Sequence, residues 1–121
     1  MSNKKCVMVV EDNEADHNML CDFLAAKGYK VIPVQDAHHI FDLIKKEKPQ
    51  LIFTALMLND FIRGEELVEK LKADPEFHTP IVGMSAQVNT DAEYFYSICD
   101  YQLAKPITIS NISNITSKVF G

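Results

Sequence analysis

Glycine is scarce in this chain. There are four among 121 residues, and none forms a run after the first apolar stretch. A Gly-rich loop that cradles phosphates is therefore missing, which leaves nucleotide binding of that kind the weakest reading. Cysteine is scarce as well. Cys6, Cys21 and Cys99 are odd in number and share no metal-ligand spacing, so they read as free packing thiols in a reducing compartment. Lys and Arg form no basic stripe and the net charge is −5, which argues against nucleic-acid or membrane-surface partners, because phosphates must be met by clustered cations. No apolar run approaches the roughly 20 residues a bilayer span needs. The N-terminal Met1-Ser2-Asn3-Lys4-Lys5 leads into a strand rather than a long apolar segment. Repeats, linkers and low-complexity stretches are also missing. The expectation is one soluble, cytoplasmic domain spanning residues 1–121, long enough to bury its own core.

What is present is an alternation of short apolar runs and helical patterns. Cys6–Val10 stops at Glu11-Asp12-Asn13, where Asp12 or Asn13 can cap a helix with Ala15, Met19, Leu20, Phe23 and Leu24 inward, ended by Lys27-Gly28. Lys30–Val34 is a second strand, and Pro33 puts it at an edge. Asp36 opens a second helix with Ala37, Ile40, Phe41 and Ile44 inward. Leu51–Ala55, bounded by turn formers, reads as a third strand buried on both faces. A loop to Gly64 precedes a third helix carrying Leu67, Val68 and Leu71, which Asp74-Pro75 breaks. Thr79–Met84 is a fourth strand ending at Ser85-Ala86. The poorly patterned Val88–Ile98 segment, with its Tyr94-Phe95-Tyr96 cluster, holds a short fourth helix. Tyr101–Leu103 is a fifth strand, closed by Lys105-Pro106. The last helix, from Thr108 or Ser110 to Phe120, turns Ile109, Ile112, Ile115 and Val119 inward. Strands alternating with helices on short connections predict an α/β fold, an open five-stranded parallel sheet with helices on both faces.

In such sheets chemistry gathers at the carboxyl ends of the strands. Those ends carry Glu11 and Asp12, Ala55, Ser85 and Lys105. Adjacent carboxylates resemble half of a Mg²⁺ site, and a hydroxyl and an ammonium suit phosphoryl oxygens. Alone, Glu11-Asp12 would be a solvated loop and helix cap. With Pro49-Gln50-Leu51-Ile52-Phe53, Pro80-Ile81-Val82-Gly83-Met84-Ser85-Ala86 and Leu103-Ala104-Lys105-Pro106-Ile107 at matching intervals, however, the whole chain resembles the response-regulator receiver domain of two-component signalling. The resemblance implies a flavodoxin-like sheet of order 2-1-3-4-5. It also implies a Mg²⁺-holding acidic pair (Glu11, Asp12), a switch hydroxyl (Ser85) and a phosphate-contacting lysine before a cis proline (Lys105).

The phosphoacceptor position of that pattern falls on Ala55. The loop to Gly64 is slightly long, the stretch from Ser85 to Lys105 is short, and the aromatic switch position falls on Gln102 with Tyr101 displaced to its neighbour. A methyl group cannot attack a phosphoryl donor, and Mg²⁺ loses a ligand. The expectation is therefore no enzyme, no cofactor, and at most a weak Mg²⁺ site at Glu11 and Asp12. Lys105, deprived of its usual carboxylate, is expected to pair with Asp12 or Glu11. The leading reading is a stand-alone pseudo-receiver that acts by phosphorylation-independent protein–protein interaction in a bacterial pathway, with a histidine kinase or another regulator as partner. Its expected partner face includes Tyr94, Tyr96, Tyr101, Asn111 and Asn114. The alternatives are phosphorylation at a displaced residue, Thr54 or Asp60, and a small-molecule-binding flavodoxin-like domain.

Overall fold

A computed structural model describes residues 4–58, 62–86 and 90–121, and the side chains of all of these except Thr90 and Asp91. Five parallel strands, β1 (Cys6–Val10), β2 (Lys30–Val34), β3 (Leu51–Ala55), β4 (Ile81–Ser85) and β5 (Tyr101–Ala104), form one sheet in the order β2-β1-β3-β4-β5. The helices are α1 (Glu14–Ala26), α2 (Ile40–Glu47), α3 (Gly64–Lys72), α4 (Thr90–Ile98) and α5 (Ile109–Phe120). Among the described residues no helix is long and apolar enough to cross a membrane.

The continuous apolar strands β1, β3 and β4 are buried throughout because helices cover both faces of the sheet. Val7, Val9, Leu51, Phe53, Val82 and Met84 pack with α1 and α5. Cys6, Met8, Val10, Ile52 and Ile81 pack with α2, α3 and α4. Edge strand β2 alternates instead, with Pro33 exposed. The fourth strand begins at Ile81 rather than Thr79, since Pro80 has no N–H for the ladder and contributes only its carbonyl, to Ile52 N–H at 3.1 Å.

Helix phases depart from the sequence reading where caps set them. Asn13, not Asp12, caps α1, and its side chain accepts from Asp16 N–H. In that phase Ala15 is exposed and His17 is buried. Asp36 caps a 3₁₀ turn (Ala37–His39), and α2 follows with Phe41 half-buried. Thr108 caps α5, so Ile109 falls in the first turn and is 58% exposed while Ile107, ahead of the cap, is buried in its stead. Ile112 and Ile115 are buried as expected, and Val119 is half-buried. α4 occupies Thr90–Ile98, and Val88 lies outside the described residues.

Candidate functional site

The carboxyl edge of the sheet brings Glu11, Asp12, Ala55, Ser85 and Lys105 around one cleft of about 260 Å³. Each is placed by its strand. Glu11 continues β1 by donating its N–H to Val34 O at 3.1 Å, and its side chain turns inward to 1% exposure. Ala55 ends β3 opposite Met84 and is itself 2% exposed. Ser85 ends β4, and its carbonyl accepts from Lys105 N–H at 3.0 Å and from the Tyr96 hydroxyl at 3.3 Å. The Lys105–Pro106 peptide is cis, as the resemblance implied.

Lys105 does not reach across an open pocket. Its Nζ stands 2.7 Å from Glu11 Oε1 and 2.8 Å from Asp16 Oδ2. Glu11 Oε2 in turn accepts from Asn13 N–H at 3.0 Å, so both oxygens of that carboxylate are engaged. Oε1 relies on the ammonium alone among the described residues and has no hydrogen bond of good angle. Burial pushes the Glu11 carboxyl up, opposed by Lys105 and by the Asn13 N–H. Burial pushes Lys105 down, but Asp16 and Glu11 together outweigh it and the ammonium titrates above its usual range. The expected partner Glu11 is therefore present, and the second is Asp16 rather than Asp12.

Asp16 escaped the sequence reading. It sits one helical turn beyond Asp12, in the first turn of α1, where an acidic residue is already explained by the helix dipole. No local spacing singles it out, because what recruits it is Lys105, which the fold brings over from the end of β5. His17 follows it inward, and its Nδ1 contacts Glu11 O at 3.1 Å, where a carbonyl can only accept. That bond fixes the turn on which Glu11 stands.

The remaining candidates disperse. Thr54 is fully buried and donates to Ala55 O at 3.2 Å, on the opposite side of β3. Asp60 lies outside the described residues. Tyr94 bonds Glu69 of α3, Tyr96 turns toward the cleft, and Tyr101 packs on the α1/α5 side. Gln102, Asn111 and Asn114 are exposed around a second, polar groove between β5 and α5. Among the described residues no three His, Cys, Asp or Glu side chains stand together as a metal cluster.

The arrangement of an acidic pair, a strand-end hydroxyl and a lysine on a 2-1-3-4-5 sheet coincides with a sequence-family match over residues 7–117, to the response regulator receiver domain. The chain belongs to that family. This receiver domain is 32% identical over 120 residues to the polar-differentiation response regulator DivK of Brucella anthropi, covering 97% of each chain. Among solved structures it superposes on a putative response regulator from Chloroflexus aurantiacus with a TM-score of 0.87 at 21% identity, covering 97% and 98% of the two chains. The receiver domain of Saccharomyces cerevisiae Ssk1, co-crystallised with the histidine phosphotransfer protein Ypd1, superposes with a TM-score of 0.80 at 20% identity, over 96% and 88%. At these identities the structural likenesses establish the fold.

Proposed function

We propose that this receiver domain is a pseudo-receiver, signalling through protein–protein contact without aspartyl phosphorylation. The observation that carries this reading is Ala55, a methyl group at the strand end around which the pocket residues are arranged. An acyl phosphate needs an attacking carboxylate, and Ala55 offers none. The buried hydroxyl of Thr54 faces away from the cleft, and nothing in its surroundings favours it as a substitute acceptor.

The donor set does not fit a resident Mg²⁺ of the kind the family pattern implies. That ion demands a nearly ideal octahedron of oxygens. Both Glu11 oxygens are engaged, Asp16 is paired with Lys105, and Ala55 brings no side-chain oxygen, which leaves Asp12 as the family-type carboxylate ligand. A weak site at most is the consequence. The cleft, at about 260 Å³, is also smaller than the usual range of small-molecule sites, about 300–1,000 Å³.

With no reactive centre, output falls to recognition. The partner class is a histidine kinase, a phosphotransfer protein such as the one seen with Ssk1, or another regulator. Incubation with Mg²⁺ and acetyl phosphate, followed by intact-mass measurement, tests the reading. The mass is expected to remain unchanged, and a stable phosphoryl adduct on the wild-type chain overturns it.

A further inference from the structure

α2 and α3 end side by side at the edge of the sheet where the strands begin, the opposite edge from Ala55. Between them lies a groove of about 650 Å³. Ile44 and Leu71, both buried, form its floor, and the half-buried rings of Phe41 and Phe77 stand on its sides. That volume lies within the usual range of small-molecule sites, and an apolar floor with a few polar groups at the rim is their usual make-up.

The rim is cationic. Lys45, Lys48 and Lys70 line it, and none of them belongs to an ion pair among the described residues. Two carboxylates, Asp74 and Glu76, share the rim, but Asp74 Oδ1 already accepts Glu76 N–H at 2.9 Å in the turn that ends α3. Three ammonium groups against two carboxylates leave a positive rim on a chain whose net charge is −5. Lysines in last helical turns also complement the helix dipole. That accounts for cations at each helix end but not for an apolar trough held open between them. Lys48 moreover caps α2 in the left-handed region at φ 50, a conformation that disfavours a side chain, and this turn carries it to the rim.

We propose that this groove binds a small amphipathic anion, with a flat aromatic body between Phe41 and Phe77 and a carboxylate or sulfonate at the lysines. The site is separate from the Ala55 cleft, and the proposal does not depend on how that cleft signals. The aromatic anion 1-anilinonaphthalene-8-sulfonate serves as the probe, titrated into the full chain by fluorescence and by amide NMR. Saturable binding is expected, with shifts concentrated on residues 41–48 and 70–77. The triple variant Lys45→Gln, Lys48→Gln, Lys70→Gln, all exposed positions, is expected to weaken it by at least about tenfold, and the uncharged N-phenyl-1-naphthylamine to bind wild type at least about tenfold more weakly. Phe77→Ser is expected to weaken the probe while circular dichroism reports an intact fold. Shifts centred on the β5–α5 groove or the Ala55 cleft overturn the proposal. So does an affinity indifferent to the lysines, or a response that tracks protein concentration and so reports a second copy in the groove.

Discussion

Lys105 Nζ lies 2.7 Å from Glu11 Oε1, and that carboxylate is only 1% exposed. A charge buried so completely is tolerable only while its partner stays. Removing one member of a buried pair costs about 3–5 kcal/mol, whereas replacing both by uncharged groups of similar volume is often close to neutral. Lys105→Met is therefore expected to lower stability by about 3 kcal/mol, and Lys105→Met with Glu11→Gln to recover much of that loss. Urea unfolding of the two variants and of Glu11→Gln alone gives the coupling. Equal midpoints for Lys105→Met and the double variant would show that the pair carries no weight.

Ala55→Asp puts back the carboxylate that the pseudo-receiver reading finds missing. In a cleft already holding Glu11 and Asp12, a third acid repels the others unless a cation bridges them. The variant is expected to be about 1 kcal/mol less stable than wild type without Mg²⁺. Millimolar Mg²⁺ is expected to raise its melting temperature and leave the wild type nearly unmoved, because a ligand stabilises only the form that binds it. With acetyl phosphate present, intact mass should show one phosphoryl adduct on the variant. A variant indifferent to both reagents would mean that Ala55 is not the decisive loss.

The strands were legible because their information is local. β1, β3 and β4 are unbroken apolar runs between turn formers, and burial on both faces makes that pattern unambiguous. Helix faces were less so. Periodicity gives the repeat, but the cap sets the phase, and Thr108 at the α5 cap is what turns Ile109 out. Three aromatics in succession on a helix point about 100° apart, so Tyr94, Phe95 and Tyr96 could never share one face. Their separate destinations, Glu69, the core and the Ser85 carbonyl, follow. Asp16 and the α2–α3 groove depend on contacts between distant segments, which no local pattern encodes.

Gly64 illustrates the same limit. As a residue it marked the end of a loop; in the fold it lies against Ala55, and a Cβ there would come 2.0 Å from the Ala55 carbonyl oxygen. That neighbour is backbone of a central strand and cannot yield. At Gly83 the nearest atoms are Cys99 Sγ at 2.7 Å and Phe95 Cε2 at 2.9 Å, both side chains that can shift slightly. Overpacking costs about 1–3 kcal/mol, so Gly64→Ala is expected at or above the top of that range and Gly83→Ala below it. Thermal or urea melts rank the two. The opposite ranking would show that α3 is free to move off β3.

The three thiols give a test in pH. Burial pushes Cys99 up to about 12 and Cys21 up to about 11, and it raises Cys6 as well. At pH 8 an unperturbed thiol is roughly a quarter thiolate, while Cys99 would be ionised in about one molecule in ten thousand and Cys21 in about one in a thousand. Because the thiolate is the nucleophile, Ellman's reagent should modify Cys21 and Cys99 of the native chain at least about a hundredfold more slowly than free cysteine, and Cys6 more slowly than free cysteine as well. In urea it should titrate all three residues. The same shifts fix the sign for stability. A folded thiol holding its proton longer than the unfolded one contributes fully below about pH 8.5, the unfolded value, and loses that contribution as pH rises toward the folded values. Stability should therefore decline above pH 8.5, with Cys99→Ala declining less steeply than wild type. Native reaction as fast as that of free cysteine, or stability level to pH 10, would contradict the burial of these thiols.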